Sequence, residues 1–586
     1  MPHNIDRTFI QIRLLNSSKG PAVQALRAQA DKRLYSLAMK HTLEGTPNLD
    51  LKQGLVDQVL VSGDRVRGVM TNYGQRYLAK TVILTAGTFV AGRILAGEHT
   101  MPAGRAGEFP AQGLSKSLAE LGFTLVRFQT NTPPRIDART IDFEQTKEQP
   151  GSPTPLYFSD EPPELRYHIP AQSVLPAPGM WKPVISPVYP VAHPTSWRPQ
   201  LSCYLVFTNE KTHEIILDNL DRSPIAPGAI EATGPRYCPS IEEKIVRFRH
   251  KTSHHIFLEP EGFNTHEVYV QGFFTGMPEE VQLQMLHSIP ALEQAEIMRA
   301  GYAIEYDHVP PDQISASLQT KRVEGLFLAG QINGTSGYEE AAAQGIMAGI
   351  NAARKVDGKP PVILGRDQAY IGVLIDDLVT KELEEPYRLL TSKAEYRLLL
   401  RQSDADRRLI PIGHEVGLIS DERYHSVMAK WERIAQEYEL LQERRIRADA
   451  ETNKLLAEMG LDPLSQTVSA LQFLRRPEVS ADVLQALGAF SADLTPEQIE
   501  QVTIDAKYEG YIEKQKRQVK RMERLEKWRV PEGFAYSEIV GLRNEAREKL
   551  QRFRPETLGR ASRIQGINPA DISLLMVHLQ RRRENV

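Results

Sequence analysis

Leu326-Phe327-Leu328-Ala329-Gly330-Gln331-Ile332-Asn333-Gly334-Thr335-Ser336-Gly337-Tyr338 is the stretch on which the fold turns. Three apolar residues run without alternation toward a glycine, as in a strand covered on both faces. A loop with two more glycines follows, and the spacing then predicts a helix over 339–355. Strand, glycine loop and helix form the repeating unit of an α/β fold. The helix carries Ala341, Ala342, Gly345, Ala348, Gly349 and Ala352, a small-residue surface on which another backbone can come close. Each glycine costs about 1 kcal/mol of helix propensity relative to alanine, so packing or a ligand must require the space. Amides at the helix start offer partial positive charge to an electron-rich group, and a reduced flavin is one such group. A tightly packed strand–helix unit without a ligand reads equally well.

Outward from this stretch, Thr81-Val82-Ile83-Leu84-Thr85-Ala86-Gly87 reads as a second buried parallel strand ending in a small residue and a glycine. Before it, Gln58 to Val61 and Arg65 to Thr71, joined by Ser62-Gly63-Asp64, predict a hairpin. Near the start, Val23, Leu26, Ala30, Leu34 and Leu37 recur at helical spacing and predict one amphipathic helix. Residues 131–199 are rich in proline, which argues for loops and short strands and against long helices. From 201 to 300 short strands and helices alternate as in a second small domain, and from 421 onward the chain reads as charged helices. The expected division is 1–133 and 301–370 as two parts of one nucleotide-binding domain, 134–300 as an inserted domain, 371–420 as a connection and 421–586 as a helical domain.

Composition narrows the function classes. At 586 residues, with 41% apolar and 25% charged residues, the chain has globular proportions and is too long for one core. No apolar run approaches the roughly 20 residues that cross a bilayer, and Met1 to Ile10 lacks the apolar centre of a signal peptide. Two cysteines, Cys203 and Cys238, exclude a disulfide framework or a cysteine-built metal cluster and fit a reducing cytoplasm. A net charge of −3 leaves room for a local basic patch.

A second stretch carries chemistry: Gly234-Pro235-Arg236-Tyr237-Cys238-Pro239-Ser240-Ile241-Glu242-Glu243-Lys244-Ile245-Val246-Arg247-Phe248. Ser240 and Glu243 have capping-box spacing, with Ile241, Ile245 and Phe248 expected on the buried face of the helix that follows. Cys238 precedes the cap and has Arg236 close in sequence, two influences that favour a thiolate. Cys203 lies in an apolar, strand-like run and reads as a small buried side chain. Near the end, Arg517, Lys520, Arg521 and Arg524 share one face of a helix. Such a face is ordinarily solvated, yet it can also neutralise phosphates.

Together these motifs resemble the MnmG (GidA) family of flavoproteins, which install carboxymethylaminomethyl groups on wobble uridines of tRNA. The resemblance rests on 234–242 and 329–345 and continues through Asn16-Ser17-Ser18-Lys19-Gly20-Pro21-Ala22-Val23, Gly104-Arg105-Ala106-Gly107, Thr132-Pro133-Pro134-Arg135, Glu385-Pro386-Tyr387-Arg388, Lys507-Tyr508-Glu509-Gly510-Tyr511 and Ala561-Ser562-Arg563-Ile564. It covers essentially the whole chain. It implies an α/β fold: a Rossmann-like FAD domain, an inserted nucleotide-binding domain and a helical C-terminal domain. It also implies FAD, NADH, methylene-tetrahydrofolate as carbon donor, tRNA, the GTPase MnmE as partner, a homodimer and a cytoplasmic location, with no membrane and no metal. It assigns 234–248 to the nicotinamide nucleotide. Val56 and Gln331, with Ala86, Gly87, Gly330, Asn333 and Gly334, fall to FAD, and the C-terminal helices, with the basic face at 517–524, to tRNA and the GTPase. Cys238 becomes the candidate nucleophile toward C6 of uridine, a step that makes C5 reactive.

One departure stands out. The family opens with a strand, a Gly-x-Gly-x-x-Gly turn that seats the FAD pyrophosphate and, soon after, a second cysteine. Neither occurs in the first hundred residues here, which reads as a truncated or late start and predicts weak or absent FAD binding. Two alternatives follow: a non-catalytic remnant that binds tRNA or MnmE, and a folate- and FAD-dependent tRNA uridine methyltransferase, whose family lacks the long helical end. A nicotinamide-dependent disulfide reductase is disfavoured, because no closely spaced cysteine pair exists.

Overall fold

The computed structural model describes residues 1–159, 185–190, 198–224, 233–234 and 239–584, with side chains described to 581. The chain forms two compact units. The first holds Met1–Leu15, Ala25–Val362 and Glu382–Arg388, and the second holds Asn16–Gln24, Ile363–Lys381 and Leu389–Val586.

In the first unit the parallel pair expected from the sequence is present: Leu326–Leu328 lies beside Val82–Leu84, with Phe327 opposite Ile83. Leu326, Phe327 and Leu328 are all buried, but Ile83 is 36% exposed, so the second strand is less covered than its apolar run predicts. The hairpin forms as Val56–Ser62 against Arg65–Thr71 and is joined by Arg76–Leu78 in a three-stranded meander. A four-stranded antiparallel sheet places Tyr302–His308 between Arg93–Ala96 and Val126–Thr132. The region of 201–300 contributes to a six-stranded sheet with Cys203–Phe207, His255–Pro260 and Glu267–Gln271 near its centre. Leu258, Val270, Ile241, Ile245, Met285 and Leu286 belong to the core around it. Between 131 and 159 the described residues form only short strands and single 3-10 turns, as the prolines require.

The early helix is a correction. Ala25–Ala30 is a strand, paired antiparallel with Phe9–Leu15 so that Leu26 faces Leu14, and the helix begins only at Lys32. Asp31 decides the boundary. Its carboxylate accepts the Leu34 amide at 3.0 Å as an N-cap and the Phe263 amide at 3.0 Å. The apolar spacing across the boundary, which mimics one helix, therefore spans two elements.

The second unit is helical, with Asp421–Glu443 and the 31-residue helix Pro496–Glu526 as its longest members. Trp431, Leu441, Leu471, Phe473 and Val502 belong to one core, and Leu542, Leu550, Phe553 and Leu575 to another. The buried charges of this unit are paired. Asp376, for example, accepts two bonds of 2.7 Å from Arg563, which hold its carboxyl below the usual range although burial pushes it up. No helix among the described residues is long and apolar enough to cross a membrane.

Candidate functional site

The site is built where the parallel strands end. In α/β sheets ligands collect at the carboxyl ends of the strands, because the loops leave from there and helix amides face the same way. Ala86 and Gly87 follow one strand and Gly330 and Gln331 the other, and the two loops touch. Gly87 takes φ +59°, and a Cβ on it would stand 3.4 Å from Gln331 Oε1. Gly330 and Gly334 take φ +87° and +69°, a region that side-chain-bearing residues avoid. Gly334 is also tightly enclosed: a Cβ would come within 3.0 Å of both His308 and Phe128. Glycine is required on both counts, which gives the loop one shape.

A residue not singled out from the sequence fixes that shape. Gln344, on the inner face of helix Tyr338–Val356, is fully buried. Its Oε1 accepts the Gly330 amide and the Asn333 side-chain amide, both at 2.9 Å, and its Nε2 donates to Thr335 Oγ1 at 2.8 Å. Asn333 also donates to the Leu328 carbonyl at 2.8 Å. The Asn333 side chain is thus turned into the loop and shapes it from within. Its position six residues into the predicted helix could have exposed Gln344 as the polar residue on an otherwise small, apolar face. The small-residue surface itself is divided. Ala348 and Ala352 are buried, but a Cβ on Gly345 or Gly349 would meet no described atom within 4 Å beyond the helix's own backbone.

Beneath the loop lie two buried polar rings. Tyr306 is fully buried, its hydroxyl has no hydrogen bond of good geometry among the described residues, and burial pushes its ionisation up while the nearby Gln331 amide opposes this. His308 stacks on Phe128 at 3.8 Å between ring centres, and burial pulls its imidazole down to about 4, so it is neutral at pH 7. Glu340, in the first turn of the helix, is 6% exposed, with Arg388 at 3.7 Å. An acid at this end interacts favourably with the helix dipole, so part of the positive pole expected to face a ligand is answered from within the chain. Val56 stands at the start of its strand opposite Thr71.

The second candidate stretch lies partly outside the described residues: Pro235, Arg236, Tyr237 and Cys238 are not among them. Gly234 is placed against Gln129, whose Nε2 would lie 2.9 Å from a Cβ. Pro239 leads into the capping box, which forms as expected: Ser240 Oγ accepts the Glu243 amide at 3.2 Å and the Glu243 carboxylate accepts the Ser240 amide at 3.2 Å. Ile241 and Ile245 are buried, but Phe248 is 41% exposed. The helix ends at Arg247, so Phe248 leaves its axis and does not join the buried face. Lys244 donates to the Gly272 carbonyl at 3.0 Å, Arg247 pairs with Glu243 at 3.3 Å, and Val246 is half-exposed. Glu242 is 3% exposed and accepts from the Thr275 hydroxyl at 2.5 Å and the Gly276 amide at 3.2 Å. Burial pushes its carboxyl up against those bonds. Cys203 is buried, with its thiol pushed up to about 12 by burial, and is an inert packing residue.

Arg517, Lys520, Arg521 and Arg524 lie in the last turns of helix Pro496–Glu526, all exposed. None forms an ion pair among the described residues, in contrast to Lys516 with Glu513 at 2.9 Å and Arg563 with Glu526 at 2.6 Å. No group of three or more metal-ligating side chains occurs among the described residues.

Comparison with known proteins agrees with this organisation. Residues 1–171 and 169–360 match the family "Glucose inhibited division protein A". Residues 421–516 match the "tRNA modifying enzyme MnmG/GidA C-terminal helical domain", and 518–586 match the "C-terminal helical bundle" of the same enzymes. A "tRNA uridine 5-carboxymethylaminomethyl modification enzyme MnmG" of Roseiflexus castenholzii is 54% identical over 98% of this chain and 87% of its own length. The enzyme of that name from Chloroflexus aurantiacus is 55% identical over 98% of this chain and 88% of its own. A crystal structure of GidA from Aquifex aeolicus superposes with a TM-score of 0.86 at 42% identity, covering 99% of this chain and 89% of that one. Identity at this level over nearly the whole chain, with family matches over 1–360, 421–516 and 518–586, shows that the chain belongs to the MnmG/GidA family.

Proposed function

We propose that the protein is a tRNA-modifying enzyme that, with a GTPase of the MnmE kind, places a carboxymethylaminomethyl group at C5 of wobble uridine. FAD, NADH and methylene-tetrahydrofolate serve as cofactors and carbon donor, in a cytoplasmic homodimer. The observation that carries this reading is the glycine loop 330–337 at the carboxyl ends of the parallel strands. Its backbone is forced by three positive-φ glycines and wired by Gln344, in a chain 54% identical to an enzyme named for this modification.

The residues present fit the ring end of FAD. Gly87 leaves the space beside Gln331 Oε1 free of side-chain carbon, Gly330 lets the loop pack closely on Ala341, and the Tyr306 hydroxyl is a buried polar atom next to the Gln331 amide. When bound, the flavin supplies hydride transfer between the nicotinamide and the one-carbon unit. The chain's own contribution is orientation: Gln331 and the Gly87 turn would hold the ring, and neutral His308 and Phe128 would close the floor. The helix Ile241–Arg247 with buried Glu242 supports the nicotinamide segment. Cys238 is the nucleophile toward uridine C6. Arg517, Lys520, Arg521 and Arg524 meet tRNA phosphates, for which four exposed cations with no ion pair among the described residues are suited.

Producing the chain in a bacterial strain that lacks its own enzyme of this kind, then digesting its tRNA for nucleoside mass spectrometry, tests the proposal. Carboxymethylaminomethyluridine should return. Persistent unmodified uridine, with tRNA still bound by the purified chain, would favour the non-catalytic reading; 5-methyluridine in its place would favour the methyltransferase.

A further inference from the structure

The loop 330–337 has two anchors, and they differ in origin. The inner one is Gln344, which belongs to the same strand–loop–helix unit. The outer one is Glu382–Arg388, a segment that belongs to the first unit although the chain on both sides of it, Ile363–Lys381 and Leu389 onward, belongs to the second. Tyr387, 3% exposed, donates its amide to the Gly334 carbonyl at 2.8 Å and accepts the Ser336 amide on its own carbonyl at 2.8 Å. This makes a short parallel bridge between Thr335 and Tyr387. A Leu383 methyl closes over Gly334, 3.1 Å from where a Cβ would stand, and Arg388 reaches Glu340 at the helix start. The exchange is reciprocal: Asn16–Gln24, the tip between the strands Phe9–Leu15 and Ala25–Ala30, belongs to the second unit, where Gly20 packs against the Tyr508 hydroxyl.

We propose that Glu382–Arg388 is a strap that positions the loop 330–337 and couples it to what the helical unit binds. Both ends of the strap continue directly into helical-unit chain, so a shift there is drawn onto Tyr387 and Leu383 without passing through side-chain packing. On the loop, the strap holds the Gly334 carbonyl and the Ser336 amide, whereas Gln344 holds Gly330, Asn333 and Thr335. The loop can therefore respond at its outer edge while its inner edge stays fixed. Leu383 and Tyr387 are positioning residues, acting on the ring pocket through Gly334 and Gln331.

The inference rests on the proposed binding of tRNA by the helical unit. Its test is amide hydrogen exchange, read by mass spectrometry on the full chain with and without an unmodified tRNA transcript. In the unaltered protein, tRNA should change exchange in the peptide covering 330–337 by about tenfold, in the usual range of coupling between sites. Leu383→Ala and Tyr387→Pro, the latter removing the bonded N–H, should abolish that response while tRNA still binds with its original affinity. Should Tyr387→Pro fail to fold, Leu383→Ala alone carries the test. A response that survives in Leu383→Ala, or no response in an unaltered protein that binds tRNA, overturns the strap. An unaltered protein that does not bind tRNA instead overturns the functional reading on which it stands.

Discussion

The glycine loop at 330–337 and the basic face at 517–524 are both assigned to ligands, yet they are made in opposite ways. In the loop several polar groups are already bonded within the chain: Gln344 holds three partners, Tyr387 holds two more, and Gly334 is enclosed by His308, Phe128 and Leu383. On the helix face four cations stand exposed with no ion pair among the described residues. The loop is a piece of the core that also shapes a pocket, so ligand and fold depend on the same atoms. The basic face depends on the fold only for the helix that carries it. A ring ligand needs a fixed contour and little charge, whereas a polyphosphate needs charge and tolerates loose geometry.

The contrast breaks most sharply at Gln344. Replacing it with leucine leaves the Gly330 amide, the Asn333 amide and the Thr335 hydroxyl without their partner in a buried place. At about 1–3 kcal/mol for each unsatisfied group, offset in part by relaxation, a loss of about 4 kcal/mol is expected. Denaturant unfolding measures it; a loss below about 1 kcal/mol would mean that the network does not set the loop. His308 comes next. Its unfolded pKa is near 6.5 and its folded value about 4, so between those values the unfolded chain binds the extra proton. The stabilising contribution is complete above about pH 6.5 and is lost as pH falls toward 4, a total of about 3 kcal/mol at 1.36 kcal/mol per unit. His308→Phe, which keeps a ring against Phe128, should flatten stability between pH 7.5 and 4.5; an unchanged slope would place the acid sensitivity elsewhere. Gly334→Ala is milder. It forces a side chain into φ +69° and against His308 and Phe128, for about 2 kcal/mol, and it should weaken FAD binding more than Gly63→Ala, whose Cβ meets nothing within 4 Å at a similar φ of +64°.

What could be read in the sequence divides along the same line. The strand–loop–helix at 326–356, the hairpin at 56–71 and the capping box at Ser240 were legible, because each is decided by residues within a few positions of one another. The helix expected across 23–37 failed because its boundary is set by Asp31, whose second partner, the Phe263 amide, lies 232 residues away. Phe248 failed because a helix ending is a matter of one turn, and apolar spacing does not register it. Gln344 was missed because a glutamine among alanines reads as a neutral helix former, and its role appears only when the loop folds back onto it. The basic face was legible as charge, but its lack of ion pairs among the described residues was not, since carboxylates at 513, 523 and 526 sit close in sequence and could have answered it.

The smallest effect on stability, and the one that sharpens the comparison, is expected at that face. Replacing Arg517, Lys520, Arg521 and Arg524 together with alanine should change unfolding free energy by no more than about 0.5 kcal/mol, as for exposed positions with no ion pair among the described residues. Each cation that neutralises a phosphate adds about 0.7–0.9 to the slope of log affinity against log salt. If all four meet tRNA, that slope should therefore fall by about 3, and the affinity advantage of the unaltered protein should shrink as salt rises. A fourfold variant with an unchanged salt slope would take the face away from tRNA and leave it to a protein partner, whose acidic surface would then lose affinity in the same variant.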